Sequence, residues 1–200
     1  KYTLAVPTYA ADAGLKSFQD IAKFKDQLDG KIYGIEPGND GNLLIEKMIK
    51  GDQFGLGDFR MVESSEAGML VQVQRAVKQN KPVVFLGWAP HPMNTQFDLT
   101  YLAGGDDVFG PDYGAAKVYT VVSPDYEARC PNVGKLLNNL QFSVEIESQL
   151  MEKVLDKQNP TEVAKEWIKA NPEALDKWLA GVSTFDGQDG AAAVKKFIGM

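Results

Sequence analysis

His91 is the only histidine in this chain and Cys130 the only cysteine, so the side chains that most often move protons or attack carbonyls occur once each. A Ser-His-Asp or Cys-His arrangement needs a base held against its nucleophile. His91 stands between Pro90 and Pro92, which marks a rigid-loop residue rather than a general base. Asp106-Asp107 and Asp186-Gly187-Gln188-Asp189 lack the further acidic positions of a calcium loop. Neither catalysis nor a metal site is expected, and no cofactor.

What remains is the chemistry of recognition. The run VVFLGW delivers Trp88 into APHPMN, where two prolines stop both strand and helix. Either Trp88 plugs a core or its face is displayed to something. Pro37-Gly38-Asn39 forms the other notable turn, in GIEPGNDGN. It lacks the Lys-Ser/Thr ending and the spacing of a phosphate loop, and Glu36 and Asp40 would repel a phosphate. Asn39 offers an amide and Trp88 a large π face, with no lysine or arginine in either turn. An amide beside aromatic faces suits a small cation carrying a hydroxyl or similar group, since an aromatic face attracts an ammonium by about 0.5 to 2 kcal/mol. The plainer alternative is that Trp88 fills core and Asn39 caps its helix.

The elements that must position these residues follow from periodicity. Tyr2–Val6, Lys31–Glu36, Phe59–Glu63 and the run from Val83 read as strands. A helix carrying Leu43, Leu44, Met48 and Ile49 opens at Asn39-Asp40, and another carrying Met69, Leu70, Val73 and Val77 opens after Ser64-Ser65. The alternation predicts an α/β fold with a parallel sheet covered by helices. In such a sheet both turns would sit at the carboxyl ends of strands and face one crevice.

Beyond Leu99–Leu102 and the loop at Gly104-Gly105-Asp106-Asp107 the rhythm changes. Lys117–Val122 reads as a further strand, and from Pro131 on the pattern is helical. Phe142, Ile146, Leu150 and Val154 recur at helical spacing, as do Val163, Trp167 and Ile168, then Leu175, Trp178 and Leu179. The boundary is expected near residue 116. KYTLAVPTYAADAGLKSFQDI and KVYTVVSPDYEARCPNVGKLL share one order of basic residue, Tyr-Thr strand, loop and helix. Two such strands would suit a lobe entered and left through paired connections.

The chain has 200 residues, 44% hydrophobic, enough for one sizeable core or two small lobes. Its net charge of −6 provides no draw toward phosphate backbones or anionic lipid, so nucleic acid is not an expected partner. No apolar run is long enough to suggest a membrane span. The start at Lys1-Tyr2-Thr3-Leu4 has neither initiator Met nor signal peptide, and is expected to be processed or truncated.

IYGIEPGNDGN, VESSEAGML, VFLGWAPHPMN, LTYLAGGDDVFGPDYG and CPNVGKLL closely resemble the choline-binding members of the glycine betaine/proline betaine family of ABC-transporter substrate-binding proteins. The resemblance runs over nearly the whole chain. It implies a two-lobed, type II periplasmic binding protein-like fold that closes on its ligand, is not an enzyme, and delivers choline or a related trimethylammonium compound to a membrane permease. It assigns cage aromatics to Tyr2 and Trp88 and the partner of the choline hydroxyl to Asn39. Members of that family usually carry about a hundred further residues ahead of the segment matching KYTLA. By this comparison residues 1–116 are a nearly complete ligand-binding lobe, and 117–200 are a crossover strand with the helical carboxyl-terminal part of the other lobe. The amino-terminal segment is then expected as a separate chain, with a cysteine that would pair with Cys130. Alternatives are a glycine betaine or carnitine binder of the same importer class, or a ligand-sensing module on the same fold.

Overall fold

The computed structural model describes all residues, 1–200, which divide into two compact units, Lys1–Ala116 and Lys117–Met200. The first is built on five strands: β1 (Tyr2–Pro7), β2 (Lys31–Tyr33), β3 (Arg60–Val62), β4 (Phe85–Trp88) and β5 (Leu99–Tyr101). They lie in the order β3-β2-β4-β1-β5. Two long helices complete it, α1 (Asp40–Lys50) and α2 (Glu66–Lys78), with several shorter turns of helix.

Strand direction is where the structure departs from the sequence expectation. β2 runs parallel to β3 and to β4, but β1 is antiparallel to both its neighbours, β4 and β5. The sheet is therefore mixed, not all parallel. An apolar run buried on both faces reads the same in either direction, and β1 is buried from Thr3 to Pro7. The reversal has a functional result. A parallel β1 would begin at the far edge of the sheet; antiparallel, it brings its first residue, Tyr2, beside Trp88 at the carboxyl end of β4.

Local chemistry sets the helix starts. Asn39 accepts the Gly41 N–H at 2.8 Å ahead of α1, and Ser65 accepts the Gly68 N–H at 3.0 Å ahead of α2. Asp40 lies in the first turn of α1 and Lys47 and Lys50 in its last, matching the helix dipole. Ile45 and Met48 of α1, and Met69 and Val73 of α2, are fully buried in a core they share with Leu4, Ile32, Phe85 and Leu86. Helical spacing of these residues is what turns one face of each helix to the sheet.

The second unit contains the longer helices α3 (Pro131–Asn139), α4 (Val144–Leu155), α5 (Pro160–Ala170), α6 (Pro172–Trp178) and α7 (Gly190–Ile198). Its core is small: Leu175, Leu179 and Val182, flanked by Leu136, Ile168, Val194 and Ile198. Trp167 stacks on Trp178 at 5.7 Å, and Phe142 meets Trp178 at 5.2 Å. The strand expected at Lys117–Val122 is absent. No neighbouring strand satisfies its backbone, and Val118 and Val121 are 96% and 89% exposed. The similarity between the two KY/KVYT segments thus has one strand behind it, not two. No helix of the chain is long and apolar enough to cross a membrane.

Candidate functional site

The carboxyl ends of β2, β3 and β4 share one edge of the sheet, and the start of β1 joins them there. Lys1 and Ala89 exchange backbone hydrogen bonds of 3.0 and 3.1 Å. The next pair inward, Tyr2 and Trp88, is therefore a non-hydrogen-bonded pair, the kind whose Cα atoms approach to about 4.5 Å and whose side chains lie closest. Both rings rise from the same face of the sheet and are partly buried against the core.

Asn39 reaches this face from the start of α1. The Tyr2 hydroxyl donates to Asn39 Oδ1 at 2.7 Å, and the Gly41 N–H contacts both that oxygen, at 2.8 Å, and the tyrosine oxygen, at 3.1 Å. A backbone N–H can only donate, so it fixes which end of the carboxamide is oxygen. Oδ1 is then occupied by two donors, and Nδ2 is the end left to serve a ligand. Burial raises the Tyr2 pKa, against smaller lowering effects of Gly41 and Asn39, so the phenol remains a neutral donor. The close approach requires glycine at position 41: a Cβ there would lie 2.5 Å from the Tyr2 oxygen and 2.6 Å from a Leu86 methyl.

Behind Asn39 the loop is tied down by Asn42, which is 1% exposed. Its Oδ1 accepts from Ile35 N at 3.0 Å; its Nδ2 donates to the Ile35 and Glu36 carbonyls and to Glu63 Oε1 at 3.0 to 3.1 Å. Behind Trp88 lies the loop Ala89–Asn94, with a cis peptide at Ala89-Pro90. Asn94 Nδ2 donates to the carbonyls of Trp88 and His91, each at 2.8 Å, while its Oδ1 accepts from the Tyr101 hydroxyl at 2.7 Å.

The site's electrostatics come from the same three loops. Glu36, Asp40, Glu63 and Glu66 all lie there, and residues 34–42, 62–69 and 85–98 contain no lysine or arginine. The Glu66 N–H donates to Glu36 Oε1 at 3.0 Å and holds the Glu36 carboxyl below its usual pKa. The carboxylates of these loops favour a cation over an anion, while Lys1, bonded to Ala89 and with its Nζ 4.9 Å from the Tyr101 ring centroid, brings positive charge to the same edge.

Of the residues singled out from sequence, Tyr2, Asn39 and Trp88 come together at one edge of the sheet. Cys130 lies in the second unit, at the start of α3, as a half-buried free thiol. Sequence reasoning had Glu36, Asp40 and the absence of lysine or arginine from the two turns, but missed Asn42 and the addition of Glu63 and Glu66 to the acidic side. Asn42 reads as an ordinary polar residue of a helix start, and Glu63 and Glu66 belong to a loop that the sequence does not mark as adjoining the other two.

The chain matches the model of the OpuAC family, described as the substrate binding domain of ABC-type glycine betaine transport system, over residues 1–170. It is 34% identical over 164 residues to the glycine betaine/carnitine transport binding protein GbuC of Listeria monocytogenes serotype 1/2a (strain 10403S), covering 82% of this chain and 54% of that protein. Among solved structures, an ABC-transporter choline binding protein in complex with choline shares 57% identity at a TM-score of 0.77, over 99% of this chain and 69% of that one. Lactococcal OpuAC in its closed-liganded conformation with glycine betaine shares 30% identity at a TM-score of 0.67, over 89% of this chain and 66% of that one. The chain thus spans about half the length of the curated relative and about two thirds of the solved ones.

Proposed function

This chain belongs to the OpuAC family of substrate-binding domains of ABC-type transport systems, and on that premise we propose that it is a choline-binding component of an importer. Proteins of this family bind substrates for transport rather than transform them. Tyr2 and Trp88 are the aromatic walls that face the trimethylammonium group, and Asn39 Nδ2 donates to the choline hydroxyl oxygen. The observation that carries this reading is the Tyr2–Asn39–Gly41 arrangement, which leaves one amide donor beside two aromatic faces. The 57% identity to a protein solved with choline supports it.

A second reading is favoured by the relative named for glycine betaine and carnitine, because an amide N–H serves a carboxylate as readily as a hydroxyl. The acidic residues of these loops weigh against it: Glu36, Asp40, Glu63 and Glu66 outnumber the basic residue at this edge, Lys1. Calorimetric titration with choline, glycine betaine and carnitine separates the two. Choline should bind tightest; tighter binding of glycine betaine would sink the choline assignment.

In this reading the protein works outside the cytoplasmic membrane, in the periplasm, and hands its ligand to the importer's membrane permease. The domain reading proposed with it makes 1–116 the ligand-binding lobe and 117–200 the helical part of the other. A separate amino-terminal segment supplies that lobe's strands and the remaining cage walls, and is joined to this chain by packing and a disulfide at Cys130.

A further inference from the structure

His91 is the one ionisable side chain buried in the loop that carries Trp88, at 4% exposure, and it has no role in the contacts proposed for the ligand. Both its nitrogens are engaged. Nδ1 accepts the Met93 N–H at 3.0 Å, which leaves the proton on Nε2, and Nε2 lies 3.0 Å from Glu66 Oε1. A ring held at both ends neither flips nor swings. Its edge is set against the Trp88 indole, with centroids 4.9 Å apart and planes at 61°, the favoured geometry of an edge-to-face aromatic pair.

Glu66 extends this restraint across the site. Its backbone N–H donates to Glu36 Oε1, and the Glu36 carbonyl in turn accepts the Asn39 N–H at 3.2 Å. A continuous series of contacts therefore runs from Trp88 through His91, Glu66 and Glu36 to Asn39. Its members come from three separate loops, after β2, β3 and β4.

We propose that His91 is a positioning residue: it fixes the angle of the Trp88 indole, and through Glu66 it holds that indole at a set position relative to Asn39. A buried imidazole needs both nitrogens satisfied in any case; what points to positioning is where its partners lie and that its edge meets the Trp88 indole. The Glu66 partner is itself anchored to the loop of the other ligand-facing residue. The proposal rests on the ligand reading above for its effect on affinity, but its effect on the indole is independent of any ligand.

The test uses the full chain labelled with 5-fluorotryptophan, the Trp88 fluorine resonance being the one lost in Trp88→Phe. In His91→Leu that line should shift or broaden without ligand, and affinities for choline and tetramethylammonium should fall by the same factor, about three- to tenfold, since an aromatic pair contributes modestly. His91→Gln, which can again donate to Glu66, should recover part of the loss; His91→Asn, too short to reach it, should not. Glu66→Ala, at a half-exposed position, should move the same line with little change in melting temperature, and serves if His91→Leu fails to fold. An unchanged Trp88 line in folded His91→Leu or in Glu66→Ala would overturn the proposal. Failure of the unmodified protein to bind choline even together with the proposed amino-terminal segment would instead overturn the ligand reading, while the fluorine line still decides the role of His91.

Discussion

The Tyr2 hydroxyl donates to Asn39 Oδ1 across 2.7 Å, although the two residues are 37 positions apart. One bond thereby joins one proposed cage wall to the amide proposed to meet the ligand. It also sets the orientation of that amide, because the oxygen is the end it occupies.

Tyr2→Phe keeps the ring and deletes that bond. Asn39 still caps α1 through Gly41, so the fold should be little affected. A net hydrogen bond contributes about 0.5 to 1.5 kcal/mol, and choline affinity should fall by about three- to tenfold. Tetramethylammonium, with no oxygen for Asn39, should lose less. Calorimetry with both ligands checks this; an equal loss for both would place the effect in the ring rather than in the amide.

Trp88 is partly buried against the core yet lies at the mouth of the sheet. Trp88→Ala should therefore cost about 1 to 2 kcal/mol or more of choline binding, and less than the roughly 3 to 5 kcal/mol of stability expected of a wholly buried aromatic. Affinity and melting temperature measured on one sample distinguish the roles. A mutant that melts early but binds normally would return Trp88 to the core.

How far this site could be read from sequence depends on which residues are considered. Trp88 and Asn39 were legible because two prolines and a glycine turn interrupt apolar runs, and local chemistry is printed in the order of residues. Tyr2 came from family resemblance alone, because its place depends on the direction of β1, and direction leaves no mark on a strand buried on both faces. Asn42 folds back on Ile35 and Glu36 and reaches Glu63, 21 positions away, and His91 meets Glu66, 25 positions away, contacts that hydrophobic periodicity does not report. The helices of the second unit were legible from spacing, whereas Lys117–Val122 has the residues of a strand and no neighbour to make it one.

Gly34 shows how tightly the Asn39 loop is built, since a Cβ at this position would overlap the Asn42 carboxamide. Gly34→Ala should displace that carboxamide and cost about 1 to 3 kcal/mol, read as a lower urea midpoint. In an Asn42→Ala background the same change should cost much less, because the obstructing group is gone. Equal costs in both backgrounds would show that the tight contact is not what constrains position 34.

Tyr101 makes stability sensitive to alkaline pH. Burial pushes its pKa up to about 12, despite the opposing bond to Asn94. The unfolded chain ionises near the ordinary value of 10.0, so both states are neutral below that pH and the contribution is fully present. Between there and about 12 only the unfolded state loses its proton, and stability falls as pH rises. Urea midpoints across this window should decline, and Tyr101→Phe should flatten the decline. The same decline in the mutant would move the cause to another group.

Lys117–Val122 supplies the last prediction. In KVYTVV apolar residues occupy both alternate sets, Val118 and Val122 on one and Tyr119 and Val121 on the other, as in strands covered on both faces. Yet Val118, Tyr119 and Val121 are exposed, and fully burying each valine would contribute about 1.5 to 3 kcal/mol. A partner that provides strand edges on this segment therefore gains both backbone pairing and apolar burial. The proposed amino-terminal segment meets that description, and the disulfide proposed at Cys130 would tie it covalently in an oxidising compartment. Co-expression should yield a complex heavier than the 21.9 kDa chain by light scattering, separable by mass only after reduction, and binding choline more tightly than this chain alone by several powers of ten. A monodisperse 21.9 kDa monomer that binds choline tightly by itself would show that Tyr2, Trp88 and Asn39 suffice, and the need for further cage walls would be wrong.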